Sequence, residues 1–176
     1  MMRESDMHDT DRADRIWRHP VYQEHFLQLQ KAEHTREFCR HTLAHFLDVA
    51  RIAHIWNLEY GLGIPKDILY AAALLHDIGR YLQLSEGIPH DQASASLCAR
   101  IMPECGFTPE EILRVQNAIL HHRGHSPGSS LETSASQDPL FECLRRADKR
   151  SRNCFDCPAA RECNWPADRR MHGICT

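Results

Sequence analysis

Apolar residues in this chain recur every three to four positions, the spacing of one face of a helix, and no stretch shows the strict alternation of a half-buried strand. Residues 11–31 read as one or two amphipathic helices, with Pro20 opening a new first turn. A long helix is predicted from about residue 33 to residue 60, ended by the turn Gly61-Leu62-Gly63. Pro65 then opens a helix through His76-Asp77, which Gly79 closes, and Pro89 starts another that ends near Met102-Pro103. Thr108-Pro109-Glu110-Glu111 carries an N-cap threonine, a first-position proline and a capping-box glutamate, so a helix should run from there to His121-His122. Residues 124–138 are rich in Ser, Gly, Pro and Thr and predict a mobile loop. Pro139 opens a last core helix through Asp148, followed by an irregular tail. The fold class is therefore all-α: a helical bundle over 33–151, a helical extension over 1–32, and a short cysteine-rich tail over 152–176.

Length and composition suit an ordinary globule, since 176 residues with 42% hydrophobic and 26% charged can bury a core. A formal charge of −3 offers no overall attraction to nucleic acid or an anionic membrane, so neither is expected as a partner. The start Met1-Met2-Arg3-Glu4-Ser5-Asp6 lacks the apolar stretch of a signal peptide, and the apolar run 68–75 is too short to span a bilayer. A cytoplasmic protein is expected. The 13 histidines and eight cysteines change the picture more, because both residue types bind metal.

Five apolar stripes each carry an ionisable group. Phe38, Thr42, His45, Val49, Ile52 and Trp56 share one face; Leu69, Ala72, Ala73 and His76 share another. His90 runs with Leu97 and Ile101, His122 with Ile112, Val115 and Ile119, and Asp148 with Phe141 and Leu144. One inward histidine is ordinarily a hydrogen-bonded core residue. Such groups on five helices, all facing one core, are costly unless paired or bound to metal. Imidazole and carboxylate together suit iron, manganese, zinc or a similar divalent ion.

The order of these residues resembles the H…HD…D signature of the HD superfamily of metal-dependent phosphohydrolases. His45-Phe46-Leu47-Asp48-Val49-Ala50-Arg51-Ile52-Ala53 is similar to its first motif, Leu74-Leu75-His76-Asp77-Ile78-Gly79-Arg80 to its second, and Ala147-Asp148-Lys149 to its third. The resemblance covers residues 33–152 and implies an HD-domain helical bundle with metal ligands His45, His76, Asp77 and Asp148. Ile88-Pro89-His90 and Ile119-Leu120-His121-His122 resemble the additional histidines of two-metal members, such as the diadenosine tetraphosphate hydrolases. The resemblance thus implies a second ion on His90 and His122, with Asp77 shared between the two, and a metal-activated water that attacks phosphorus. Iron or manganese is the expected metal, with zinc, nickel and magnesium as alternatives.

Further residues complete the expectation. Arg80 and Lys149 follow metal ligands closely and could neutralise charge on a phosphoryl group, or could equally be solvated helix-end cations. His41, one turn before His45 on the predicted helix, is a candidate extra ligand or proton donor; His121 is a candidate phosphate contact. Cys154, Cys157 and Cys163, with Cys175 or His172 as a fourth group, could hold structural zinc or an iron–sulfur cluster, or could simply be reduced thiols. The substrate expected is a nucleotide or related small phosphate ester or anhydride, and a homo-oligomer is open. Two other readings remain: a mixed-valence di-iron oxygenase with the same six ligands, and a nucleotide-binding sensor without turnover.

Overall fold

The structure is a computed structural model, and it describes residues 12–122 and 138–174. The loop expected over 124–138 therefore lies outside the described residues except for Asp138. Helix α1 spans residues 12–18. It is followed by α2 (Pro20–Ala32), α3 (Leu43–Glu59), α4 (Lys66–Leu75), α5 (Arg80–Ser85), α6 (His90–Ile101), α7 (Pro109–His121) and α8 (Pro139–Arg150). No strand occurs among the described residues, and the chain is all-α.

Helix α4 is the hub. Its sequence Lys66-Asp67-Ile68-Leu69-Tyr70-Ala71-Ala72-Ala73-Leu74-Leu75 is apolar nearly all round, the pattern of a helix surrounded by others. It packs against α3, α6, α7 and α8. The run of alanines lets those neighbours come close, and Ala71, Ala72, Ala73 and Leu75 are wholly buried. At the N-terminal end of α4 the buried Asp67 carboxylate pairs with Arg12 of α1, which also grips Glu111 of α7. Ile16, Tyr22 and Leu29 belong to the same core, so α1 and α2 are packed into the bundle rather than laid over it.

Caps and glycines account for most boundaries. Thr108 and Glu111 form the expected capping box of α7. In the last turn of α3, Asn57 holds Ile64 through both groups of its amide at 2.8 and 2.9 Å, which closes the Gly61-Leu62-Gly63 turn. Helix α4 ends at Leu75, one residue before His76, so His76-Asp77-Ile78-Gly79 is a turn and Gly79 begins α5 rather than closing α4.

The long helix predicted from residue 33 begins instead at Leu43. Glu33 is the C-cap of α2, and its carboxylate accepts the His41 backbone N–H at 2.7 Å and the His41 ring at 2.8 Å. That closed loop leaves residues 34–42 irregular, and the Thr42 side chain caps α3 by accepting the His45 N–H. Phe38, expected on the buried stripe, lies on this loop and is 39% exposed.

Gly79 fixes how the turn after α4 meets α6. Its N–H donates to Ser94 Oγ at 3.0 Å, and a Cβ there would sit 2.7 Å from both the Ala93 Cβ and the Ser94 backbone nitrogen. Backbone cannot swing aside as a flexible side chain can, so Gly79→Ala must push α6 off the turn that carries Asp77. The expected cost is about 1–3 kcal/mol, read as a Tm lower by roughly 5 °C in a thermal melt. An unchanged Tm would show that this contact is slack.

Candidate metal centre

Five elements and one loop bring their polar ends to a single point. His45 comes from the first turn of α3, His76 and Asp77 from the turn after α4, and His90 from the first residue of α6. His122 caps the C-terminus of α7, Asp148 sits in the last turn of α8, and His41 reaches in from the loop before α3. His76 is fully buried, and His41, Asp77, His90 and His122 are nearly so.

Asp77 is the centre of this arrangement. Its Oδ2 lies 3.4 Å from His76 Nε2 and 3.1 Å from His41 Nε2. Its Oδ1 lies 3.3 Å from His90 Nε2 and 3.8 Å from His122 Nε2. Asp148 Oδ1 stands 3.6 Å from His45 Nε2 and 3.8 Å from His76 Nε2. Two groups of ligand atoms result: His45, His76, Asp77 and Asp148 in one, and Asp77, His90 and His122 in the other, each within 4.8 Å internally. Ligands bonded to one ion at ~2.1 Å stand about 3 Å or slightly more apart, which is the separation seen.

Every histidine of the two groups has its other ring nitrogen engaged. His76 Nδ1 donates to the Ala73 carbonyl at 2.7 Å, and His122 Nδ1 to the Ile119 carbonyl at 2.6 Å, each on the preceding turn of its own helix. His90 Nδ1 meets Gln83 Oε1 at 2.7 Å, and His45 Nδ1 meets the Ser151 hydroxyl at 3.1 Å. A proton held on Nδ1 leaves Nε2 as a lone pair aimed inward, the state a metal requires. The Nε2 atoms of His45 and His76 and Asp77 Oδ1 are buried without a hydrogen-bond partner. Buried polar atoms of this kind need a partner, and divalent ions at the two groups would supply one to each. The donor set therefore fits a metal.

Electrostatics point the same way. Burial, reinforced by the neighbouring His76, pushes the His45 pKa down to about 3, so its ring is neutral at pH 7. Burial also lowers that of His122. Burial opposes the charged form of Asp77 as well, but His76, His41 and His122 outweigh it, and the carboxyl is held well below its ordinary range. Asp148 is likewise held low against burial by the nearby His76 and by Arg152. Neutral His45 and His122 beside ionised Asp77 and Asp148 are in the protonation states that ligate metal. At His76, by contrast, Asp77 and Asp148 outweigh burial and raise the pKa, a positive charge that a bound cation would replace.

Above the centre lies a cavity of about 520 Å³ lined by Arg36, Arg80, Lys149, Arg152 and Arg169 together with His41 and Trp165. Of these, the sequence singled out Arg80, Lys149 and His41. Arg80 also lies 3.3 Å from the Glu33 carboxylate, the group that holds His41. His41 reaches Asp77 from an irregular segment rather than from the helical turn expected. His121 is not brought to the cavity; its Nδ1 donates to the Asn117 carbonyl at 2.8 Å, because neighbouring helix residues point about 100° apart. Cys154, Cys157 and Cys163 are half-buried and free of disulfides, and among the described residues they do not converge into a three-ligand group. Cys175 lies outside the described residues, and His172 bonds the Ala167 carbonyl.

Sequence reasoning missed Glu33, Arg36, Arg152, Trp165 and Arg169. Arg152 carried a signal, since it stands four residues after Asp148 and bonds it at 2.9 Å. The others are joined to the site by loops whose path no periodicity encodes.

The family model of the HD domain matches residues 42–153. An uncharacterised protein of Clostridium beijerinckii is 38% identical over 164 residues, covering 93% of this chain and 98% of that protein. Ribonuclease Y of a Sulfurovum species is 31% identical over 116 residues, and that of Campylobacter jejuni 32% over 105 residues. These matches cover 66% and 60% of this chain but only 21% and 18% of the ribonucleases, so the chain spans about a fifth of their length. Among solved structures, a predicted HD superfamily hydrolase from an uncultured Thermotogales bacterium aligns with a TM-score of 0.57. It covers 84% of this chain and 80% of its own at 22% identity, a likeness of fold.

Loss of His90 and His122 should empty one of the two ligand groups and leave the other intact. After gentle reconstitution with iron or manganese, elemental analysis should give two ions per wild-type chain and one in the His90→Ala/His122→Ala double variant. One ion in both proteins would make the centre mononuclear.

Proposed function

The chain belongs to the HD-domain family, and from that membership we propose that it is a metal-dependent phosphohydrolase acting on a nucleotide or a related phosphate ester or anhydride. The observation that carries this reading is the ring of basic side chains directly over the His and Asp cluster. A phosphoryl group needs charge neutralised on its non-bridging oxygens, and a cavity lined by four arginines and a lysine meets that need.

Two divalent ions, iron or manganese, would be held by His45, His76 and Asp148 on one side and His90 and His122 on the other, with Asp77 common to both. Bound there, they would lower the pKa of a water towards neutrality and polarise the phosphoryl oxygens. The chain's own groups do the rest. Arg80, Lys149 and Arg152 face the cavity and hold the phosphoryl group with its charge matched. Asp148 anchors the Arg152 guanidinium, so that this cation is already oriented before substrate arrives. Glu33 fixes the His41 ring with its Nε2 towards Asp77, where it can hand a proton to a departing oxygen. No helix among the described residues is long and apolar enough to cross a membrane, and we place the activity in the cytoplasm.

Purified protein loaded with manganese or ferrous iron should release phosphate from members of a nucleotide panel under strictly anaerobic conditions. Asp77→Ala should lower kcat by about 10³-fold or more, with the far-ultraviolet circular dichroism unchanged. A requirement for dioxygen would move the chain to the oxygenases, and nucleotide binding with no turnover would make it a sensor.

A further inference from the structure

The family match ends at residue 153, yet the cavity over the metal centre does not. Its outer wall includes Trp165 and Arg169, which lie on the tail that follows α8. The tail has little regular structure of its own, only short 3-10 turns at Cys154–Asp156 and Ala167–Arg169. Arg170 ties it together, donating to the Trp165 carbonyl at 2.7 Å, the Ala160 carbonyl at 2.8 Å and the Cys163 carbonyl. Trp165 then meets the bundle through Arg152, whose guanidinium stands 4.8 Å from the centre of its ring while bonding Asp148 at 2.9 Å. One arginine thus connects a metal-ligand carboxylate to the tail's tryptophan.

We propose that this tail selects the substrate: Trp165 and Arg169 form a subsite for the part that is not cleaved, and the substrate class is a nucleoside bearing two or more linked phosphates. The proposal rests on the phosphohydrolase reading and names the substrate of that same site.

Charge sets the number of phosphates. Five basic residues line the cavity. Beside them stand three carboxylates: Asp77 and Asp148 face the histidines, and Glu33 is bound to His41. Divalent ions at Asp77 and Asp148 would consume the negative charge there, so a single phosphate could not balance the remainder. The cations also feel one another. After burial, Arg80 is the main influence lowering the Arg36 pKa, and Arg152 adds to it. Like charges held this close favour an anion that spreads along the whole cavity, as a phosphate chain does.

Size and the aromatic wall set the rest. A cavity of about 520 Å³ is far larger than a phosphate ion and is the size of a small-ligand site. A tryptophan beside the cations gives a planar base a surface to stack on. An extended nucleic acid is a poorer fit, because Arg145, Arg146 and Arg150 of the basic groove next to this cavity are already engaged. There Arg145 and Arg146 pair with Glu142, while Arg146 and Arg150 cover the Trp56 ring at 5.1 and 5.0 Å.

The test measures binding of the β,γ-methylene analogue of adenosine triphosphate to the manganese-loaded full chain by calorimetry, with inorganic tripolyphosphate alongside. Trp165→Ala should weaken the nucleoside analogue about tenfold or more, the range of base stacking on an aromatic ring. Trp165→Phe should restore most of that affinity, and tripolyphosphate should respond less than the nucleoside analogue to loss of the ring. Arg169→Gln, at an exposed position where folding is not at stake, should weaken both ligands. It should also lower the ratio of kcat/KM for adenosine triphosphate over p-nitrophenyl phosphate severalfold. Equal affinity in wild type and both loss-of-contact variants overturns the proposal, as does tighter binding of a single-stranded ten-nucleotide RNA than of the analogue. If the analogue binds through Trp165 but no phosphate is released from any compound, the subsite stands and the hydrolase reading falls. If p-nitrophenyl phosphate is hydrolysed while the analogue binds all variants alike, the reverse holds.

Discussion

A carboxylate buried to 3% exposure cannot sit in a protein core without partners, and the structure around Asp77 is built to supply them. One oxygen faces His76 and His41, the other His90 and His122. Those imidazoles belong to four different places in the chain, so satisfying one side chain fixes how α3, α4, α6 and α7 meet. Helix α4 makes this convergence affordable in space. Its alanines let neighbouring helices approach closely, and the turn at its end points Asp77 at all of them at once.

Preorganisation continues outward in layers. The histidines are held by backbone carbonyls, by Gln83 and by Ser151, each bond fixing which nitrogen faces the centre. Glu33 plays this part for His41 and sits 3.3 Å from Arg80, so one carboxylate orders both the His41 imidazole and a cation of the cavity. Asp148 has a double part, facing His45 and His76 on one side and bonding Arg152 on the other. The chemistry of the centre and the charge of the cavity therefore depend on the same few groups. A change at Asp148 or Glu33 should disturb both, which pairwise contacts alone would not suggest.

Specificity belongs to a different part of the chain. The matched HD-domain region supplies the ligands, whereas the wall facing them is partly tail. A tail with little regular structure, pinned by Arg170 to three backbone carbonyls, can vary in sequence without disturbing the bundle. Site chemistry and substrate choice can then change separately within one fold.

Much of the centre was legible in the sequence because helices impose a period. His45, His76, His90, His122 and Asp148 each continue an apolar stripe, so the requirement that the stripe be buried carries them inward. The capping box at Thr108 and the prolines at 20, 65, 89 and 139 mark helix starts for equally local reasons. What only the tertiary structure decided lies where no period operates. Glu33 and Thr42 cut short a helix that periodicity alone would have carried through residues 34–42, because two side-chain caps offered those backbone groups other partners. The same loop delivers His41 and Arg36 to the cavity, and the tail delivers Trp165 and Arg169. Their positions are set by the cations and carboxylates they meet far along the chain, and a contact between distant residues leaves no repeat in the sequence by which to read it.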